Sequence, residues 1–186
     1  MILGLAGYAG SGKSTAAEAL CRNNGFVRAR FADPLKGMIR TLLAQMGADE
    51  AMIEAMVEGS LKEVPSEILG GRSPRYVMQT LGTEWGRGFM GPNFWADIAI
   101  SRVRALHAKF PDHPIVFEDT RFANEVAAIR KVGGVVLRID RPGTGPVNAH
   151  ESDNQRLDVF NSVTNDGTVD DLERKVLDFM RAVEAG

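Results

Sequence analysis

The chain has 186 residues, of which 44% are hydrophobic and 25% are charged, and its formal net charge is −2. These values are typical of a globular protein in water and disfavour the basic surface that binds a nucleic-acid polymer. No apolar run approaches the ~20 residues of a membrane-spanning helix, and the first residues lack the basic region of a signal peptide. The single cysteine, Cys21, cannot form an internal disulfide, so we expect a reducing cytoplasm.

Short apolar strands alternate with helices along the chain. We predict strands at 2–6, 26–32, 114–119, 133–140 and 160–166. We predict helices at 13–22, 33–47, 49–58, 74–87, 93–110 and 122–132, and a last helix from Thr168 with Leu172, Val176, Phe179 and Val183 on one face. This alternation indicates a three-layer α/β fold, in which a five-stranded parallel sheet carries helices on both faces. Ligands of such sheets bind at the carboxyl ends of the strands.

The first strand leads into "GYAGSGKST" at 7–15, which matches the phosphate-loop pattern G-x-x-x-x-G-K-[ST]. Its glycines let backbone N–H groups surround phosphate oxygens, Lys13 reaches the β- and γ-phosphates, and the Ser14 hydroxyl binds Mg²⁺. A chance match has a probability of roughly one per cent in a chain of this length. We therefore predict an ATP site made of Gly10, Ser11, Gly12, Lys13, Ser14 and Thr15.

The strand "PIVFED" at 114–119 ends in two carboxylates. Asp119 is placed like the strand-end acid that holds Mg²⁺ or its water in phosphate-loop enzymes, and Glu118 competes for the same role. Arg121 follows two residues later, where a cation suits a transferring phosphoryl group or an acceptor phosphate. A surface Asp–Arg pair is the plain alternative, which the phosphate loop in the same chain makes less favourable.

The segment "FADPLK" places Asp33 and Lys36 at the end of the second strand. Asp33 precedes Pro34 and fits the N-cap of the next helix. It also fits a role in orienting or deprotonating an acceptor hydroxyl, or in holding a sugar.

A polar stripe is predicted on the helix at 74–87, where Arg75, Gln79, Thr83 and Arg87 recur every four residues. Two arginines, an amide and a hydroxyl fit a phosphate and a base edge, and a solvated face is an equal alternative. In "GTEWGRGFMGPNFW", glycines beside Trp85 and Trp95 suggest the approach of a flat ligand, although core packing is the commoner use of such residues.

Two loops near the end of the chain complete the candidate site. The loop after the fourth strand carries Arg141, His150, Glu151 and Arg156, and it fits a lid that excludes water. The turn "NDGTVDD" after the last strand fits a cup for the nucleotide base at Asp166 and Gly167, with a plain turn and helix cap as the alternative. A capping box is predicted between Thr168 and Asp171.

Five segments together resemble the phage-type deoxynucleoside monophosphate kinases: "GYAGSGKST", "FADPLK", "QTLGTEWGR", "DTRFANE" and "TNDGTVDDL". They occur in the family's order across nearly the whole chain. The resemblance implies ATP-dependent phosphorylation of deoxynucleoside monophosphates to diphosphates with Mg²⁺. It also implies one phosphate-loop kinase domain over 1–186, with a mobile acceptor-binding segment at about 48–93 and a lid at about 141–158.

The motifs and the resemblance together suggest roles for single residues. Lys13, Asp33 and Arg121 would be catalytic, Ser14 and Asp119 would hold the metal, and Asp166 and Gly167 would complete the ATP site. The acceptor would be bound by Asp33, Lys36, Arg75, Gln79, Trp85, Arg87, Trp95, Arg121 and Glu151. The segment "AHESDNQ" departs from the family's H-x-S-E lid pattern, because Asp153 stands where Glu is usual.

Two alternatives remain open from the sequence. Another small-molecule kinase, such as a dephospho-coenzyme A kinase, would share the loop and the strand-end Asp, and would use Asp33 as a base on a hydroxyl acceptor. A nucleotide-switch module is the alternative from another class, although the chain has no [NT]-K-x-D guanine motif. The expected partners are ATP and a nucleotide acceptor, without nucleic acid or membrane, and a homodimer is an open alternative to a monomer.

Overall fold

A computed structural model describes residues 1–145, 157, 159 and 161–185. Its helices in chain order are α1 (Lys13–Asn24), α2 (Asp33–Gln45), α3 (Glu50–Val57), α4 (Pro74–Thr80), α5 (Phe94–Lys109), α6 (Ala123–Lys131) and α7 (Val169–Ala185). A 3₁₀ turn lies at Glu67–Leu69, and a π-helix follows α4 over Leu81–Met90. The chain forms two compact units: residues 1–31 with 100–186 make unit 1, and residues 32–99 make unit 2.

Unit 1 is built on a sheet of five parallel strands, as the sequence predicts. The strands are β1 (Ile2–Ala6), β2 (Val27–Ala29), β3 (Ile115–Thr120), β4 (Val135–Asp140) and β5 (Ser162–Thr164), in the spatial order β2-β3-β1-β4-β5. The central strand β1 is buried along its whole length, because it pairs with β3 on one side and with β4 on the other. This order places the end of β1, where the phosphate loop begins, in the middle of the sheet edge.

Helices α1 and α7 pack with the sheet into one apolar core. Leu3 and Leu5 of β1 meet the apolar faces of both helices in a single buried cluster, whose helical members are Ala16, Ala17, Leu20, Leu172, Val176 and Met180. The predicted face of the last helix is confirmed at Leu172 and Val176, and Phe179 is partly buried and packs against the same cluster. Val183 is exposed, whereas Met180, which is not among the predicted residues, is buried.

Unit 2 is a helical segment with a core of its own. Helices α2, α3 and α4, the π-helix and the start of α5 enclose a buried cluster of Leu35, Ile39, Leu43, Ala48, Ile53, Met56, Val57, Met78 and Trp95. Between α3 and α4, an isolated antiparallel bridge joins Ser66 and Arg72.

The predicted α-helix at 74–87 is wrong in its second half. The α-helical stretch ends at Thr80 and the chain continues as a π-helix to Met90. Packing explains the change, since the backbone of Gly86 lies directly against Trp95: a Cβ there would come within 2.1 Å of the indole Nε1. The predicted stripe from Arg75 to Arg87 therefore begins on an α-helix and continues on a π-helix, whose turns contain more residues.

Three smaller predictions also need correction. The second strand is shorter than predicted and ends at Ala29, because Phe31 and Ala32 already turn into α2. That helix begins at Asp33, so Ala32 rather than Asp33 occupies the N-cap position. The last strand covers only Ser162–Thr164.

Within the described ranges, no helix is long and apolar enough to cross a bilayer.

Candidate active site

The phosphate loop joins the end of β1 to the start of α1 in unit 1. Gly10 and Gly12 adopt φ values of 77° and 106°, a region that L side chains avoid. Gly12 stands at the N-cap of α1, and the Ala16 N–H donates to its carbonyl at 2.9 Å. Among the described residues, no side chain caps this helix and its first turn has no acidic residue. Its N-terminal N–H groups and the positive end of its dipole therefore suit an anion.

Lys13 lies across the phosphate loop. Its Nζ donates to the carbonyls of Gly7 at 2.7 Å and Tyr8 at 2.8 Å, so its charge is held over the loop itself. Ser14 and Thr15 follow on the first turn of α1, and both are exposed. The predicted ATP-binding residues of the loop are thus grouped at one helix end in a geometry suited to phosphates.

Three side chains from other parts of unit 1 hold the carbonyls of this segment. Arg141 donates to the Gly10 carbonyl at 3.3 Å and the Asn165 amide donates to the Ser11 carbonyl at 2.9 Å. Arg28 donates to the Ser14 carbonyl at 3.1 Å. Arg28 lies within β2, and Arg141 and Asn165 directly follow β4 and β5, so residues from three strands hold the loop and the first turn of α1.

The two carboxylates at the end of β3 have different surroundings. Glu118 is buried, with 5% exposure, and forms ion pairs with Arg28 at 2.6 Å and with Arg30. Asp119 is half-buried, and its Oδ1 accepts a hydrogen bond from the Phe31 N–H at 2.8 Å. Glu118 is therefore largely neutralised by guanidinium groups. Of the two acids, Asp119 is the better candidate for a metal ion, and this assignment stays a prediction.

The turn after β3 presents Arg121 on the surface. Glu125, buried in the first turn of α6, accepts hydrogen bonds from the backbone N–H groups of Arg121 at 2.7 Å and Phe122 at 3.0 Å. These bonds fix the backbone from which the Arg121 side chain leaves. The catalytic role predicted for Arg121 is compatible with this position and stays a prediction.

The turn between β5 and α7 carries the residues predicted to hold the nucleotide base. Asp166 is exposed and accepts a hydrogen bond from Lys175 at 2.6 Å, which holds the pKa of the Asp166 carboxyl below its ordinary value. The predicted capping box is confirmed: the N–H of Thr168 donates to Asp171 at 3.1 Å, and the N–H of Asp171 donates to Thr168 at 3.2 Å. Gly167 lies between these two fixed points.

The oxygens near the phosphate loop suit Mg²⁺ bound together with a nucleotide. Ser14 offers a hydroxyl and Asp119 a carboxylate, and Mg²⁺ is usually held by one or two such groups together with substrate phosphates and water. In the described ranges, no group of three or more His, Cys, Asp or Glu side chains could hold a metal ion alone. The Ser14 hydroxyl and the Asp119 carboxylate are the kind of pair that binds Mg²⁺ together with a nucleotide.

The charged residues predicted to bind the acceptor in unit 2 have partners within that unit. Lys36 donates to Glu58 at 2.8 Å, and Arg75 pairs with Glu63. Arg87, on the π-helix, donates weakly to the Pro92 carbonyl at 3.4 Å. Asp33 opens α2 and the half-buried Gln79 lies on α4. Acceptor binding by these side chains stays a prediction.

The two tryptophans belong to an aromatic cluster in unit 2. Trp85 and Phe94 meet edge to face at 5.4 Å between ring centroids, and Trp95 lies 4.9 Å from Phe94. Trp95 is buried, and its indole N–H donates to the Gly82 carbonyl at 2.9 Å. Core packing, the commoner use of such residues, accounts for Trp95. Trp85 is half-buried, and its predicted contact with the acceptor stays a prediction.

Most of the predicted lid at 141–158, including Glu151 and His150, lies outside the described residues. Sequence reasoning missed the contacts that Arg28 and Asn165 make at the phosphate loop and the first turn of α1, and the ion pairs of Arg28 and Arg30 with Glu118. Arg28 and Arg30 alternate along the second strand and so share one face, which could have indicated a cationic site. Their partner Glu118 lies 88 positions from Arg30, and no local pattern reveals such a pairing.

Comparison with known proteins places these features in a family. The sequence model of a family described as deoxynucleotide monophosphate kinase matches residues 39–176. A protein of Acanthamoeba polyphaga mimivirus, provisionally named a deoxynucleotide monophosphate kinase, is 34% identical over 160 residues, which cover 82% of this chain and 80% of that protein.

Two solved structures resemble the fold of this chain. TT1252 from Thermus thermophilus has a TM-score of 0.54 at 18% identity, covering 98% of this chain and 97% of its own. The dephospho-CoA kinase from Campylobacter jejuni has a TM-score of 0.50 at 12% identity, covering 98% of this chain and 96% of its own. At these identities the likeness shows a shared α/β kinase fold and nothing about the acceptor.

Proposed function

The chain belongs to the deoxynucleotide monophosphate kinase family, and we propose that it uses Mg²⁺-bound ATP to convert deoxynucleoside monophosphates to diphosphates. The family match and the phosphate loop are independent evidence, because the matched segment begins at residue 39 and the loop lies at 7–15. The family match supports the acceptor, and the phosphate loop supports the donor. A cytoplasmic location, where free nucleotides and a reduced Cys21 are expected, is part of the same proposal.

In this reaction an oxygen of the acceptor's phosphate forms a bond to the γ-phosphorus of ATP. The bond between that phosphorus and the β,γ-bridging oxygen breaks, and ADP leaves with the bridging oxygen. The attacking phosphate is already ionised, so the protein needs no strong general base. Catalysis then depends on positioning and on the neutralisation of negative charge.

The donor side of the proposal rests on unit 1. Lys13 and the N–H groups at the start of α1 would bind the β- and γ-phosphates, with Gly10, Ser11 and Thr15 shaping the loop. Asp166 and Gly167 would lie beside the base. Ser14 and Asp119 would hold Mg²⁺, which neutralises charge that develops on the phosphoryl oxygens.

The acceptor side rests on arginine chemistry. A monophosphate carries close to two negative charges, and the planar guanidinium group makes paired, charge-assisted hydrogen bonds to it. We assign this role to Arg121, Arg75 and Arg87, and we assign orientation of the nucleoside to Asp33, Lys36, Gln79, Trp85 and Glu151. Arg75 would exchange its surface partner Glu63 for the ligand, a small cost because exposed ion pairs contribute about 0–1 kcal/mol.

A substrate screen tests the proposal. The enzyme is incubated with Mg²⁺-bound ATP and, in turn, with each deoxy- and ribonucleoside monophosphate and with dephospho-coenzyme A, and the products are separated and quantified. We expect ADP and a deoxynucleoside diphosphate in equal amounts. ADP and inorganic phosphate, without a deoxynucleoside diphosphate, would favour a nucleotide switch. Phosphorylation of dephospho-coenzyme A without any deoxynucleotide product would overturn the acceptor assignment.

A further inference from the structure

Asn165 joins the turn after β5 to the phosphate loop. Its side-chain Nδ2 donates to the Ser11 carbonyl at 2.9 Å, and its backbone N–H donates to the Asp140 carbonyl at 2.7 Å. The side chain is half-buried. One residue thus links the end of β4, the end of β5 and the phosphate loop.

The amide of Asn165 fits against Gly12. A Cβ at Gly12 would lie 2.4 Å from the Asn165 Nδ2 and 3.1 Å from the Leu172 Cδ2. The absence of a side chain at Gly12 therefore gives the amide room to reach the Ser11 carbonyl. The contact lies immediately before Lys13, the first residue of α1.

The base from which Asn165 reaches the loop is firmly held. Lys175 of α7 donates to the Thr164 carbonyl at 2.7 Å and to Asp166 at 2.6 Å, on either side of Asn165. Helix α7 itself packs with α1 in the core of unit 1. The backbone around Asn165 is therefore already ordered, so only side-chain entropy is lost when Asn165 holds the loop.

Because the peptide bond is planar, the bond from Asn165 to the Ser11 carbonyl also sets the direction of the Gly12 N–H. The carbonyl of Ser11 and the N–H of Gly12 belong to one peptide plane and point in opposite directions. When Asn165 fixes the carbonyl on its own side, the Gly12 N–H is directed away from Asn165. A phosphate loop depends on the directions of such N–H groups.

We infer that Asn165 is a positioning residue, which orients the Ser11–Gly12 peptide for the phosphates of the donor. This inference rests on the proposed ATP site. It adds a role to the β5–α7 turn, which would act on the phosphates as well as lie near the base. A donor lacking a base should depend on Asn165 as strongly as ATP does.

Two variants and one matched control test the inference. Asn165→Ala removes the hydrogen bond, and Asn165→Asp replaces it with a carboxylate that repels both the Ser11 carbonyl and the phosphates. Asn161→Ala is the control, because Asn161 is an exposed residue directly before β5, the strand that Asn165 directly follows. We expect the KM for Mg²⁺-bound ATP to rise about fivefold in Asn165→Ala and more than tenfold in Asn165→Asp. The KM for the acceptor should change less than twofold, and the control should match the wild type.

Binding of Mg²⁺-bound ATP and of Mg²⁺-bound tripolyphosphate, measured by calorimetry, separates a phosphate role from a base role. We expect both affinities to fall by the same factor in Asn165→Ala, which removes the hydrogen bond without adding a charge that repels phosphate. A loss for ATP alone would overturn the inference in favour of base contact, and unchanged values for both would overturn it outright. A fall in thermal stability that raises the KM of donor and acceptor alike would assign Asn165 a structural role only. The binding measurement stands even if the wild type phosphorylates no nucleotide, so failure of the proposed function is a separate outcome.

Discussion

Replacement of Glu118 by glutamine tests the ion-pair cluster beside the phosphate loop. Removing one member of a fully buried ion pair costs about 3–5 kcal/mol, because the remaining charge stays buried without compensation. The Glu118 side chain is 6% exposed, whereas its partners Arg28 and Arg30 are 34% and 26% exposed, so water can partly solvate them in the variant. We therefore expect Glu118→Gln to lower the free energy of unfolding by about 2 kcal/mol, less than for a fully buried pair.

Thermal denaturation of the purified variant measures this loss. For a chain of this size, 1 kcal/mol corresponds to a change of about 2–4 °C in Tm, so we expect a decrease of about 4–8 °C. Glu18→Gln is the matched control, because Glu18 pairs with Arg22 on the surface of α1 at side-chain exposures of 61% and 68%. An exposed pair at this spacing contributes about 0.3–0.5 kcal/mol, and its loss should lower Tm by less than about 2 °C.

The comparison of Glu118→Gln with Glu18→Gln decides whether burial makes the ion pairs of Glu118 more stabilising than an exposed pair. Equal shifts in Tm for Glu118→Gln and Glu18→Gln would refute the reasoning, since the same chemical change would then cost the same inside and outside the core. A second readout is the KM for ATP, which should rise in Glu118→Gln because Arg28 also holds the Ser14 carbonyl.

Four further predictions concern the donor, the metal, unit 2 and the acceptor. Lys13→Ala should lower kcat by at least 10²–10³-fold in a folded protein, whereas Lys131→Ala on the surface should not. Asp119→Asn should raise the Mg²⁺ concentration for half-maximal activity more than Glu118→Gln does, and the opposite ranking would move the metal role to Glu118. Gly86→Ala should destabilise unit 2 by about 1–3 kcal/mol in denaturation followed by Trp fluorescence, whereas Gly37→Ala, with open space around its Cβ, should not. Replacement by lysine should raise the acceptor KM, with the KM for ATP nearly unchanged, in at least one of Arg75, Arg87 and Arg121; wild-type values in all three would leave a solvated stripe.

The sequence predicts those features of the fold that depend on local patterns. Apolar strands alternating with helices give the five parallel strands, and the glycine–lysine pattern locates the phosphate loop. The capping box at the start of α7 follows from residues three apart, and it is confirmed. Each of these features is specified by neighbours along the chain.

Features that depend on distant partners could not be predicted. The π-helix forms where Gly86 packs against Trp95, and nothing in the local sequence shows which side chain covers that glycine. The bond from Asn165 to Ser11 spans 154 positions, and the pairs of Glu118 depend on the register of β2 and β3. Sequence therefore locates the phosphate loop, whereas the groups that hold it in shape emerge only from the fold.

Unit 1 consists of two segments of the chain, with unit 2 inserted between them, and this arrangement affects the order in which the protein can fold. The core of unit 2 is built from residues within 32–99, so it can form as soon as that segment has left the ribosome. The contact between α1 and α7, in contrast, closes a loop of about 150 residues, as the bond from Asn23 to Glu173 illustrates. The entropy cost of closing a loop grows with its flexible length. An early-folded unit 2 removes its own residues from that flexible length, so completion of the inserted segment makes the late docking of α7 on α1 less costly.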